Sequence, residues 1–147
     1  MTDFRETDIS HAILEAYHDK LDAALQSDVV LVGAGPSGLV AAWRLAQANL
    51  RAVILEKRLN PGGGIWGGSL GMNEVAVPKK ALGILDEAGV RYISRGPLFT
   101  ADAVELASAL CLKALHAGVT LINLVTVEDL CVHGECVTGV VANRSML

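Results

Sequence analysis

The chain has 147 residues, 52% of them hydrophobic, which suffices for one buried core of ordinary domain size and excludes a disordered or purely linking role. Its 12 basic and 16 acidic residues give a net charge of −4, and no basic run is longer than Lys79-Lys80, which argues against nucleic acid as a partner. Apolar stretches stop well short of a bilayer span, Asp3, Glu6 and Asp8 stand where a signal peptide needs basic then apolar residues, and the cysteines are a sparse, odd set of three, so a cytoplasmic protein with no membrane partner is expected.

Residues 1–27 read as a leading amphipathic helix: Ile9, Ala12, Ile13, Ala16, Tyr17, Leu21, Ala24 and Leu25 recur at helical spacing, with Asp8 or Ser10 as the N-cap. Residues 28–147 read as an α/β domain. Val29 to Val32 is a β-branched strand entering Gly33-Ala34-Gly35-Pro36-Ser37-Gly38, and Leu39 to Gln47 is rich in helix formers. Ala52 to Leu55 is a second buried strand that ends on Glu56 and completes a βαβ unit. Arg58 to Gly71 contains six glycines and Pro61, which predicts a loop lying close to something. A helix is predicted from Pro78 to Glu87, and a second over Ala101 to Ala117 capped by Thr100. Val119 to Leu124 is a third strand, and Val127 to Val132 and Cys136 to Val141 flank His133-Gly134-Glu135 as a β-hairpin.

The glycine turn carries the chemistry. In such a turn, Gly33 permits the tight bend, Gly35 lets backbone approach a pyrophosphate, and Gly38 allows close helix-to-strand packing. The turn follows a strand, opens a helix and is followed by Glu56 at the end of the next strand, where an acid accepts hydrogen bonds from ribose hydroxyls. This is a Rossmann-type fingerprint for an adenine dinucleotide. A carboxylate at position 56 repels a 2′-phosphate, which favours NAD or FAD over NADP, although Lys57 and Arg58 soften that argument. As a strand end, Glu56 is expected at the surface, where its replacement would reduce binding more than stability. Trp66, within the glycine loop, either covers a ligand or anchors the loop in a core groove.

Three segments together go further: Ile9-Ser10-His11-Ala12-Ile13, Asp28 to Leu39 (DVVLVGAGPSGL), and Glu56-Lys57 followed by PGGGIWGG from Pro61 to Gly68. In these the chain resembles the thiamine thiazole synthase family, including its archaeal and bacterial sulfide-using members. Val127-Glu128-Asp129-Leu130 and Gly139-Val140-Val141-Ala142-Asn143 also sit where that family has them. The resemblance implies a flavoprotein-like fold of the FAD/NAD(P)-binding type with an appended β-hairpin. It also implies thiamine biosynthesis in which NAD is a substrate, its ADP-ribose part joined to glycine and sulfide to form an adenylated thiazole, with Fe(II) assisting and a homo-oligomeric assembly. By position it places Ser37 on the phosphates, Glu56 and Lys57 at the adenosine ribose, Gly64 against the nucleotide through close backbone approach, and Val127 at the adenine. Read by itself, Val127 is an ordinary strand valine. In the family the sulfur-donating residue and the iron-binding acid and histidine follow the strand matching Gly139 to Asn143. The resemblance therefore implies an N-terminal portion, truncated in its α/β domain, without the iron ligands, and no catalytic residue is assigned within it.

Cys131, His133 and Cys136 form C-x-H-x-x-C across the predicted hairpin, but without a fourth ligand they read as ordinary hairpin side chains rather than a metal site. His11 and His18 share a solvated helix face, and Cys111 reads as core. Two other functions compete with the synthase: an adenine-dinucleotide-binding module or fragment without catalysis, and the N-terminal part of an FAD-dependent oxidoreductase, the weaker of the three.

Overall fold

A computed structural model describes residues 4–145. Helix α1 (Glu6–Ala24) leads into β1 (Val29–Val32), α2 (Pro36–Gln47) and β2 (Ala52–Glu56). Glu74–Val77 is β3, and a 3₁₀ turn at Lys79–Ala81 precedes α3 (Leu82–Ala88). Strands β4 (Ile93–Arg95) and β5 (Leu98–Asp102), helix α4 (Ala103–His116), β6 (Thr120–Asn123), β7 (Val125–His133) and β8 (Cys136–Arg144) complete the order.

The α/β class follows from one parallel sheet of order β1-β2-β6, with Val30 opposite Val53 and Ile54 opposite Leu121. Alternation along β2 puts Ala52, Ile54 and Glu56 on one face, Val53 and Leu55 on the other. The first face is covered by α2 and α4: Leu39, Ala42 and Trp43 pack with Leu106, Ala107, Leu110 and Ala114 over Ile54. Each large side chain so buried contributes about 1.5–3 kcal/mol. The Arg44 guanidinium bridges from α2 to Glu87 on α3 at 2.7 Å and lies over the Trp43 ring at 4.3 Å. At the strand bases, Asp28 accepts from the backbone N–H of Arg51 at 2.7 Å and from its guanidinium, tying the starts of β1 and β2 together.

The second face is less covered. Val30, Val32, Val53, Leu55 and Ile122 line a trough of about 1040 Å³ bounded by Tyr17 and Leu21 of α1 and by the β7–β8 hairpin. Val32 is 65% exposed, no residue of α1 is buried, and Arg144 lies over the Tyr17 ring at 5.4 Å.

Several expectations shift. The leading helix begins at Glu6 rather than Asp8, and Asp8 reaches back from its first turn to the Arg5 backbone N–H at 3.2 Å instead of acting as N-cap. The cap of α4 is Asp102, which accepts from the Glu105 N–H at 2.7 Å; Thr100 and Ala101 belong to β5. The expected helix from Pro78 is a 3₁₀ turn followed by the seven-residue α3, closed by Gly89 in the left-handed region at φ 76°. An antiparallel sheet of order β3-β5-β4 has no counterpart in the sequence reading, because its strands are three to five residues long and β3 finds β5 only across an intervening helix. The hairpin is longer than expected, nine residues a side, with β-bulges between Val127 and Asp129 and between Cys131 and Val132. Among the described residues no helix is long and apolar enough to cross a membrane.

Candidate functional site

Strands β1, β2 and β6 run parallel, so their carboxyl ends share one edge of the sheet, the edge at which open α/β sheets hold ligands. Three structures meet there: the Gly33–Gly38 turn, Glu56, and the glycine loop after Pro61.

Each glycine of the turn meets a different physical demand. Gly33 has φ +96°, a conformation open to glycine and costly for other residues. A Cβ on Gly38 would sit 2.2 Å from the Gly33 carbonyl oxygen, so α2 can approach β1 only without one. Gly35 caps α2 with ordinary extended backbone (φ −69°), and a Cβ there would meet nothing within 4 Å. The space in front of Gly35 is open. Pro36 opens the helix, and Ser37 follows, exposed at its first turn, where unsatisfied N–H groups favour an anion.

Glu56 is the only buried polar or charged residue among those described, 5% exposed. This corrects the expectation of a surface strand end: alternation turns the side chain under the glycine turn. Its Oε2 accepts from the Ala34 N–H at 2.6 Å and its Oε1 from the Arg58 N–H at 2.7 Å. One carboxylate therefore holds both the glycine turn and the chain leaving β2, and each oxygen keeps a lone pair for a further donor. Lys57 and Arg58 are exposed, and among the described residues neither forms an ion pair.

The glycine loop folds back onto the turn. The Gly62 N–H donates to Ala34 O at 2.7 Å, and a Cβ on Gly63 would stand 3.2 Å from the Gly35 Cα. Gly64 is exposed, with nothing near its missing Cβ. Trp66 decides between its two readings: its Nε1–H donates to Pro61 O at 2.7 Å and its ring packs against the core, so it anchors the loop. Val127 lies on β7, half-buried and opposite Ala142.

The sequence placed Asn123 and Leu124 in the third strand but did not show their roles; the strand ends at Asn123. Asn123 is the register partner of Glu56, and its Nδ2 donates to Leu59 O at 2.7 Å. Leu124 adopts φ +58°, unusual for a bulky side chain, and swings the chain from β6 into β7. An asparagine closing a predicted parallel strand beside an acid-ended one was the available signal. On the hairpin, Cys131 and Cys136 are exposed; His133 is opposite Cys136, and Cys131 opposite Gly139.

The Thi4 family's sequence profile matches residues 10–147. The chain belongs to the Thi4 family. A thiamine thiazole synthase from Thermococcus kodakarensis is 50% identical over 140 residues, an alignment covering 95% of this chain and 56% of that protein. The crystal structure of Thermovibrio ammonificans THI4 superposes with a TM-score of 0.91 at 43% identity, covering 97% of this chain and 57% of the other. The Thi4 chain described here thus spans little more than half the length of the relatives it matches. The fold reaches further: a flavin-dependent brominase, Bmp2, shares it at a TM-score of 0.63 and 18% identity, over 82% of this chain and 34% of that one.

Proposed function

We propose that this Thi4 chain binds the ADP-ribose part of NAD for a thiazole synthase of thiamine biosynthesis, with NAD, glycine and sulfide as the small-molecule substrates. One observation carries the reading: the Glu56 carboxylate is bonded to the Ala34 N–H inside the glycine turn, at 2.6 Å. That contact sets a ribose acceptor and a phosphate-approach surface at a fixed separation, as a dinucleotide requires. The pyrophosphate lies before Gly35 and the first turn of α2, with Ser37 beside it. The adenosine ribose hydroxyls donate to Glu56, near Lys57, and the exposed backbone at Gly64 closes over the nucleotide. Val127, at the start of the hairpin, is the adenine contact that the resemblance supplies. Residues 28–147 then form a nucleotide-binding α/β unit preceded by the leading helix, which works in the cytoplasm as part of a homo-oligomer.

Ferrous iron does not fit the side chains described. Among the described residues no three His, Cys, Asp or Glu side chains are grouped to hold a metal; on the hairpin His133 faces Cys136, while Cys131 faces Gly139. The residues present bind and orient the nucleotide, and no step through iron is derived from them. The relatives' greater length is where the sequence resemblance puts those ligands.

Isothermal calorimetry with ADP-ribose tests the reading. The chain is expected to bind ADP-ribose and NAD, and to lose binding when Gly35 becomes valine in a folded protein. Absence of ADP-ribose binding by the unsubstituted chain would overturn the assignment.

A further inference from the structure

We infer that Asn123 is a positioning residue for the nucleotide site, acting through the segment Lys57–Leu59; the inference rests on the nucleotide-binding reading above. Glu56 and Asn123 end neighbouring parallel strands side by side. Beyond them the chain after β2 is held from three directions. Its Arg58 N–H donates to Glu56 Oε1 at 2.7 Å, the Leu124 N–H reaches Arg58 O at 3.4 Å, and Asn123 Nδ2 donates to Leu59 O at 2.7 Å. The Asn123 contact is the side-chain half of this staple, and it joins residues 64 apart in sequence.

The staple leaves the backbone of Lys57–Leu59 fixed while the Lys57 and Arg58 side chains stay exposed, without ion pairs among the described residues. Two cations beside the ribose acceptor add attraction for an anionic nucleotide whose pyrophosphate lies before Gly35. Their backbone must not wander if they are to meet it, because affinity lost to ordering a loop is not recovered by contacts. Leu124 supports the same end: its N–H reaches Arg58, and its carbonyl accepts from the Ser145 N–H at 2.8 Å, which ties the open end of the hairpin to the same point. Asn123 itself then touches no ligand. It sets where Lys57 and Arg58 stand.

A double-mutant cycle on ADP-ribose binding reads this directly. Asn123→Ala is expected to weaken binding roughly fivefold to tenfold, about the effect of one lost hydrogen bond. Lys57→Ala with Arg58→Ala is expected to weaken it comparably, and adding Asn123→Ala to that pair to weaken it no further, while the melting temperature falls by the same amount in both backgrounds. If Asn123→Ala does not fold, Asn123→Asp, which keeps the shape and replaces the donor by an acceptor, takes its place in the cycle. Unchanged binding in the asparagine variant, or losses that add, would overturn this inference alone. Failure of the unsubstituted chain to bind ADP-ribose would overturn the nucleotide reading and this inference with it.

Discussion

The Glu56 Oε2 atom accepts from the Ala34 N–H at 2.6 Å, joining the end of β2 to the turn that leaves β1. Because Glu56 is buried and its second oxygen is bonded to the Arg58 N–H, its replacement affects folding and binding together. Glu56→Gln keeps one good acceptor and is expected to cost about 1–3 kcal/mol of stability, with weaker ADP-ribose binding in the folded fraction. Glu56→Lys faces two N–H donors with a third and is expected to cost about 3–5 kcal/mol. Urea unfolding alongside calorimetry checks both, and a stable Glu56→Lys protein would refute the burial argument.

Gly35 and Gly38 separate binding from folding. A Cβ at Gly38 collides with the Gly33 carbonyl, so Gly38→Ala is expected to cost about 1–3 kcal/mol or more by forcing α2 away from β1. A Cβ at Gly35 meets open space, so Gly35→Ala should melt near the unsubstituted protein yet bind ADP-ribose more weakly. Thermal melts with a binding isotherm distinguish the two; matching stability losses would contradict the difference in geometry.

The Asp28–Arg51 clamp gives a pH signature. Hydrogen bonds from the Arg51 side chain, then from its backbone, hold the Asp28 carboxyl below its ordinary value. A depressed carboxylate contributes stability above its unfolded-state value and loses it as pH falls through the folded one. The stability difference between the protein and its Asp28→Asn variant should therefore be constant at neutral pH and shrink in the acid range below the ordinary carboxylate value. A difference that stays level down to full protonation would remove the clamp.

Cysteine reactivity should follow exposure. Burial pushes the Cys111 thiol up, so less of it is thiolate at neutral pH, whereas Cys131 and Cys136 lie exposed on the hairpin. A disulfide reagent is expected to titrate two thiols rapidly and the third slowly, with mass spectrometry placing the slow one at Cys111. Equal rates at all three would count against the packing of α4.

The sequence by itself determined the βαβ unit, since glycine spacing and β-branched runs act locally: Gly33 needs its left-handed φ and Gly38 its missing Cβ wherever the rest of the chain goes. It also determined the hairpin's turn, whereas for Trp66 it left anchoring and covering both open until the Pro61 contact decided. Tertiary structure decided what depends on partners distant in sequence. The sheet of β3, β4 and β5 exists because Glu74–Val77 meets Leu98–Asp102, a pairing that no local pattern carries. The burial of Glu56 and the staple from Asn123 to Leu59 came from the same cause: the alternation and register of parallel strands turn one side chain under the glycine turn and set the other beside it, and register is a property of two strands rather than one.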